Sequence, residues 1–320
     1  MPEVLEDFSL SKSIQNKGTL QKIGVIGCGT MGEEITRVVS QSGIDVIFLE
    51  INQGKVEEAL KSISCHLDKM INKWGLTASE KKLILSRIKG TTSYSDLKDC
   101  DIVIETIDSK KKGTSIEIRK EIFQKLEEEV KENTVITSNT STLTISDLAS
   151  VLKHPERAVG LHFLAPASKV KIVEVVKGVQ TCDEAYEMVN KFARMIGKKV
   201  ININESPGNI STRLIVTLIN EACEILMEGV GSVEAIDETM KLGFGLQFGP
   251  LEMADRIGLD KLLKWMDNLY AEFGEKQFKA SPIIKRLVRA NQVGRRVGKG
   301  FYNYEGGKAI GQTVTCTEFN

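Results

Sequence analysis

Lys22-Ile23-Gly24-Val25-Ile26-Gly27-Cys28-Gly29-Thr30-Met31-Gly32 opens as a short apolar strand and runs through three spaced glycines into a segment with Ile35, Val38 and Val39 at helical spacing. A strand, then G-x-G-x-x-G, then a helix is what a dinucleotide needs. The first glycine permits the tight turn, the second lets backbone approach a pyrophosphate, and the third lets the helix pack on the strand, while the helix N-terminus favours the phosphate charge. Glycines serve plain turns as well, so the context decides. A second strand, Asp45 to Leu49, ends in Glu50, 23 residues after Gly27. An acid there accepts hydrogen bonds from a ribose hydroxyl and repels a 2′-phosphate, which favours NAD over NADP. Gly27, Gly29, Thr30, Met31, Gly32 and Glu50 are therefore the expected cofactor-binding residues.

Downstream, apolar residues at 56, 60, 63, 67, 70 and 74 alternate steps of four and three, which predicts one long amphipathic helix. Thr77 and Glu80 form a capping box for a second helix over Lys81 to Lys89. A third strand, Asp101 to Ile107, carries Glu105 at its carboxyl end, where a doubly wound sheet places its ligands. After the charged loop 108 to 113 and a helix from Ser115 to Lys131, a fourth strand, Thr134 to Thr137, runs into Ser138-Asn139-Thr140-Ser141. Those four polar residues either cap the helix Ile145 to Leu152, face a ligand, or do both. Glu105, Asn139 and Ser141 join the expected cofactor set. Asp183 to Ile196 reads as a helix and Lys199 to Asn204 as a last strand, and Ser206-Pro207 reads as a helix start, Ser at the N-cap and Pro at the first helical position. From there to Arg289 helical spacing dominates, with breaks at 229 to 232, 243 to 250 and 274. The change of class near 204 predicts an α/β Rossmann-type domain, 1 to 204, with a doubly wound, mostly parallel sheet, a helical hairpin insertion and an unpatterned arm at 1 to 18. An all-α domain, 205 to 320, follows.

The chemistry concentrates in the stretch that precedes this change. His162 lies in the apolar run GLHFL and Glu174 in KIVEVV; both runs read as buried strands, and the two residues are symmetric about Ser168 in the linker Ala165 to Lys169. If the strands form a hairpin, His162 and Glu174 become cross-strand neighbours. A carboxylate beside an imidazole fixes its tautomer and stabilises the imidazolium, which makes a general base.

Composition excludes other classes. Lys plus Arg and Asp plus Glu are each 43, giving zero net charge and a pI near 6.9, so no global field favours nucleic acid. The apolar runs are far shorter than the ~20 residues a membrane span needs, and the N-terminus lacks the order of a signal peptide. Six scattered cysteines without a Cys-x-x-Cys pair suit a reducing compartment, and the expectation is a soluble cytoplasmic protein. His66, His154 and His162 are too far apart in sequence for a preformed metal site. The lysines at 55, 61, 69 and 73 on the long helix could meet a phosphorylated ligand, although packing explains its apolar stripe; the basic, glycine-rich run Gly294 to Tyr302 reads as a solvated or anion-facing loop.

Taken in order, G-C-G-T-M-G, the SNTS tetrad, G-L-H-F…P…K-I-V-E-V-V, S-P-G-N-I-S-T-R-L, M-K-L-G-F-G-L-Q-F-G-P-L-E-M-A-D-R-I-G-L-D and G-K-G-F-Y-N-Y resemble the L-3-hydroxyacyl-CoA dehydrogenase family from about residue 20 to about 304. The resemblance implies an NAD-binding domain, a helical C-terminal domain that makes a homodimer, and an acyl-CoA cleft between them. It marks His162 as general base, Glu174 as its orienting carboxylate and Ser141 as a hydrogen-bond donor to the substrate oxygen. It also marks departures. The family string P-G-F-I-V-N-R reads Pro207-Gly208-Asn209-Ile210-Ser211-Thr212-Arg213 here, so Thr212 replaces the active-site asparagine with a shorter, single-hydroxyl side chain. H-F-F-N-P becomes His162-Phe163-Leu164-Ala165-Pro166, and Ala59 and His66 stand where relatives carry a serine and a lysine that contact CoA. The loop Ser109 to Gly113 stands as an insertion.

Three readings follow. The first is NAD-dependent interconversion of (S)-3-hydroxyacyl-CoA and 3-oxoacyl-CoA, short chain, with fatty-acid and butyrate metabolism as its setting. The second keeps the dehydrogenase and replaces the substrate by a free hydroxy, diketo or sugar acid. The third is a catalytically weak NAD-binding dimer, motivated by Thr212 and Ala165.

Overall fold

The computed structural model describes residues 20 to 107 and 115 to 314. The N-terminal arm, the loop Ser109 to Gly113, Cys316 and the end of the tail lie outside the described residues. The first strand, β1 (Lys22–Ile26), leads through the glycine turn into α1 (Thr30–Gln41), then β2 (Asp45–Leu49), α2 (Gln53–Ile71), α3 (Ala78–Ser86) and β3 (Ile88–Thr91). Next come β4 (Ile102–Glu105), α4 (Ser115–Glu129), β5 (Val135–Ser138), α5 (Ile145–Ala149), β6 (Ala158–Phe163), β7 (Ile172–Lys177), α6 (Asp183–Met195) and β8 (Lys199–Asn204). These strands form one eight-stranded sheet in the order β3-β2-β1-β4-β5-β6-β7-β8. β1 pairs in parallel with β2 and with β4, and β2 with β3. β6 and β7 pair antiparallel. This is the doubly wound, mostly parallel sheet expected.

Two compact units result. One comprises the chain through Thr137 with Leu164–Ile172 and Glu187–Lys199, the other Ser138–Phe163, Val173–Tyr186 and everything from Val200. In the first, β1, β2 and β4 are near-continuous apolar runs because both faces of a parallel sheet are covered; Ile23, Val25, Phe48, Ile102 and Ile104 are fully buried, each worth about 1.5–3 kcal/mol. The capping box at Thr77 and Glu80 starts α3 as expected. The second predicted helix, however, ends at Ser86, and β3 follows. Four residues containing Lys89 and Gly90 carry too little alternation to be read as a strand. Gly90 is there because a Cβ would meet Val56 at 2.4 Å and Phe48 at 2.7 Å.

The second unit adds α7 (Ser211–Met227), α8 (Val233–Phe244), α9 (Pro250–Ile257), α10 (Leu259–Phe273) and α11 (Pro282–Arg289). Val216, Ile219, Cys223, Leu262, Met266 and Phe301 belong to its core. α7 starts at Ser211, not at Pro207, because the preceding turn places Asn209 at φ 48 in the left-handed region. The unit also carries a β-hairpin, β9 (Tyr302–Glu305) and β10 (Lys308–Gln312), where the sequence predicts only helices. Its signals are Tyr302 and Tyr304 in alternation and Gly306-Gly307 at the turn.

The glycine-rich run before that hairpin has a structural use. Asp255 on α9 is 1% exposed, and its carboxylate accepts from Phe301 N, Tyr302 N and the Tyr304 hydroxyl at 2.9 to 3.0 Å. A Cβ on Gly300 would lie 1.9 Å from Asp255 Oδ1, so only glycine lets the backbone come so close. Asp237, equally buried, accepts from Leu251 N, Glu252 N and the Tyr302 hydroxyl, and so satisfies the first turn of α9, whose N-cap Gly249 has no side chain. Burial pushes the Asp255 carboxyl up to about 6 against its hydrogen bonds. A folded value above the unfolded one means that this group stabilises the fold most below pH 4 and loses that contribution as pH rises through 6. Asp255→Asn turns an N–H2 toward donors, and is expected to cost about 2–3 kcal/mol and to remove this part of the pH dependence, measured by urea denaturation between pH 4 and 8. Wild-type stability in the Asp255→Asn protein would contradict the clamp.

Candidate active site

At the end of β1, Gly27 N donates to Leu49 O and Thr106 N to Ile26 O, which joins the glycine turn to the ends of β2 and β4. A Cβ on Gly32 would lie 2.0 Å from Gly27 O, whereas one on Gly29 would meet nothing within 4 Å. Gly32 thus serves close packing, and Gly29 leaves open space above an uncapped helix N-terminus. Thr30 is exposed and Met31 half-buried at the first turn of α1. The Glu50 carboxylate reaches back to this turn, accepting from Cys28 N at 2.6 Å and from Ile51 N at 3.2 Å. An acid held against the turn, beside open space at a helix N-terminus, fits a dinucleotide with a free ribose diol. Glu105 is fully buried and accepts from Ile107 N at 2.6 Å and Arg119 Nε at 2.9 Å. Cys28 is buried, which pushes its thiol well up and removes it as a nucleophile.

In the other unit the register of the β6–β7 hairpin places His162 directly opposite Glu174. His162 is 6% exposed and Glu174 2%. His162 Nδ1 lies 2.7 Å from Glu174 Oε2, and His162 Nε2 lies 3.1 Å from Ser141 Oγ. A carboxylate on Nδ1 places the ring proton there and leaves the Nε2 lone pair for a substrate hydroxyl. The SNTS tetrad is folded on itself to deliver Ser141. Thr140 N donates to Ser138 Oγ, Leu143 N donates to Thr140 Oγ1, and Asn139 Oδ1 accepts from Phe163 N at 2.7 Å, tying the turn to the end of β6. The N-cap of α5 is Thr144, so capping is not the tetrad's task; Glu205 accepts from Ser146 N there instead.

Ser211, which sequence reasoning does not single out, completes the cluster. Its backbone N–H donates to Glu174 Oε1 and its hydroxyl to Glu174 Oε2, both at 2.9 Å. The clue in the sequence is a hydroxyl beside Thr212 at the start of a helix. Thr212 itself is buried and heads the stripe Val216, Ile219, Cys223 and Leu226 on α7. Burial pushes the Glu174 carboxyl up, but bonds and charge from His162 and the two donors of Ser211 outweigh it and hold it below its ordinary value.

In the helical hairpin, Ala59 is buried, so it packs inside the fold. His66 is exposed; its Nδ1 donates to Ser62 O, and it lines a cavity of about 280 Å³ with Thr30, Glu33, Glu34, Arg37 and Ser62. Ser62 donates to Glu33 at 2.6 Å. Among the described residues no helix is long and apolar enough to cross a membrane.

Two family models match the chain. That of the 3-hydroxyacyl-CoA dehydrogenase NAD-binding domain covers residues 22–206, and that of the C-terminal domain covers 208–304. The chain is 39% identical to a 3-hydroxybutyryl-CoA dehydrogenase of Clostridioides difficile over 283 residues, 88% of this chain and 99% of that one. Among solved structures, an (S)-3-hydroxybutyryl-CoA dehydrogenase from Ralstonia eutropha aligns with a TM-score of 0.82 at 36% identity, covering 90% of this chain and all of that one. A diketoreductase, described as acting on dicarbonyl compounds, aligns at 0.73 and 27% identity, covering 89% and 99%.

Proposed function

Since the chain belongs to the 3-hydroxyacyl-CoA dehydrogenase family and is an NAD-dependent oxidoreductase, we propose that it oxidises a short (S)-3-hydroxyacyl-CoA to the 3-oxoacyl-CoA, and the reverse, with His162 as general base. The single observation that carries the assignment of His162 is the relay Ser141–His162–Glu174 at 3.1 and 2.7 Å. The turn of Gly27, Gly29, Thr30, Met31 and Gly32, with Glu50, would hold NAD, which would supply the hydride acceptor when bound. Glu105, which accepts from Ile107 N beside Gly27, remains with Asn139 and Ser141 our candidate for further cofactor contacts. His162 Nε2 takes the proton of the 3-hydroxyl and returns it in reduction. Glu174 stabilises the resulting imidazolium, and Ser141 holds the substrate oxygen. The hydride leaves the carbon that bears this hydroxyl, so one base suffices. Thr212 remains our candidate for the position of the family's asparagine.

We place the chain in the cytoplasm as a homodimer through its helical unit. Leu214, Leu242 and Phe244, exposed at 68%, 85% and 73%, support such a pairing.

A second reading, an acid or dicarbonyl without CoA, draws on Ala59, on His66 beside Glu33 and Glu34, and on the likeness to the diketoreductase. NADH oxidation with acetoacetyl-CoA against free acetoacetate decides between them. We expect kcat/KM with the thioester to be higher by about 10² or more, the order of affinity that a large bound handle contributes. Equal turnover of the free acid would overturn the first reading. The third reading, a catalytically weak NAD-binding dimer, rests on Thr212 and Ala165, whereas the contacts of Ser141, His162 and Glu174 support the first.

A further inference from the structure

The hydroxyl of Ser211 has no place in the mechanism as written, yet it shares Glu174 Oε2 with the imidazole: Ser211 Oγ stands 2.9 Å and His162 Nδ1 2.7 Å from that one oxygen. Any residue but proline could supply the backbone N–H to Oε1, but the second donor, to Oε2, needs a side-chain hydroxyl. Glu174 also meets the first turn of the 17-residue helix α7, whose positive end adds to the same effect. A carboxylate that accepts two strong donors on one oxygen gives less of its charge to either.

We propose that Ser211 is a positioning residue that sets the proton affinity of His162: by drawing on Glu174 Oε2 it weakens the carboxylate's hold on the imidazolium and lowers the pH at which His162 becomes the free base. The described hydrogen bonds of the pair come from β6, β7, the turn before α5 and the first turn of α7. β6 and β7 contribute the titratable groups His162 and Glu174, and the turn before α5 contributes the neutral Ser141. Three charged side chains of the flanking segments are engaged elsewhere: Glu205 accepts from Ser146 N, Arg213 donates to Ser206 and stacks on Phe273 at 4.6 Å, and Lys177 at the far end of β7 pairs with Asp183. Ser141 meets the imidazole at Nε2, whereas the hydroxyl of Ser211 meets the carboxylate oxygen that holds Nδ1.

The inference rests on His162 as general base, and the test separates the two. Ser211→Ala removes the hydroxyl and keeps the backbone donor. Its acid limb in the pH profile of kcat/KM, with 3-hydroxybutyryl-CoA and NAD, is expected to move up by about half to one pH unit, the fraction of a charged hydrogen bond that differs between the two states of the histidine. Ser211→Thr is expected to restore the wild-type limb. Titration of the His162 ring by NMR reads the same shift in the resting protein, without turnover. An unmoved imidazole and an unmoved acid limb in Ser211→Ala would overturn the proposal, as would a shift that threonine fails to reverse. If the imidazole shifts but His162→Gln keeps full activity, the Ser211 inference stands and the general-base assignment falls.

Discussion

His162→Gln is expected to lower kcat by about 10²-fold or more in both directions while the fold and NAD binding stay intact, the loss typical of removing a positioned acid–base group. Glutamine is the informative replacement because its amide N–H2 can still donate to Glu174, whose carboxylate is 2% exposed and would otherwise be left with a vacated site. Alanine would mix loss of chemistry with the penalty of stranding a buried charge. The glutamine side chain has no group that takes a proton near neutral pH, so the acid limb assigned to His162 should vanish from the kcat/KM profile. Turnover within a few-fold of wild type would remove His162 from the mechanism, and an intact acid limb would show that another group titrates.

Gly29→Val is expected to weaken NAD binding by about 10²-fold, the equivalent of roughly 3 kcal/mol of steric cost, and to leave thermal stability nearly unchanged. A Cβ at Gly29 meets no atom of the described residues within 4 Å, and its backbone, φ −78 and ψ −157, is open to any residue. Among the described residues nothing requires glycine there, and we assign the requirement to the pyrophosphate of the proposed NAD site. Gly32→Ala is the control with opposite behaviour, since its Cβ would stand 2.0 Å from Gly27 O and the strand–helix contact itself must give way. Isothermal titration with NAD together with a melting curve tests both. A Gly29→Val protein that binds NAD as tightly as wild type would refute the placement of the pyrophosphate at this turn.

The elements legible in the sequence share one property: their residues are chosen by local physics. The glycine turn, the apolar strands β1, β2 and β4, the capping box of α3 and the symmetry of His162 and Glu174 about Ser168 can all be read from spacing, and the hairpin register puts those two residues opposite each other. β3 and the β9–β10 hairpin are not legible. Their four or five residues carry mixed polarity, and they are strands because β2 and the buried Asp255 accept their backbone. The start of α7 lies four residues beyond its signal for a related reason. Ser-Pro is a sound local start for a helix, but the turn at Asn209 overrides it.

In this protein the order of residues along the chain was enough to give the class of sheet, the glycine turn between β1 and α1 and the histidine–carboxylate pair, because each depends on residues whose neighbours follow from that order. Which hydroxyl reaches Glu174 had to come from the folded molecule. Ser211 and Thr212 are adjacent and chemically alike, and a helix turns by about 100° between successive residues. That rotation sends one hydroxyl to the carboxylate 37 positions earlier in the chain and buries the other at the head of the α7 stripe.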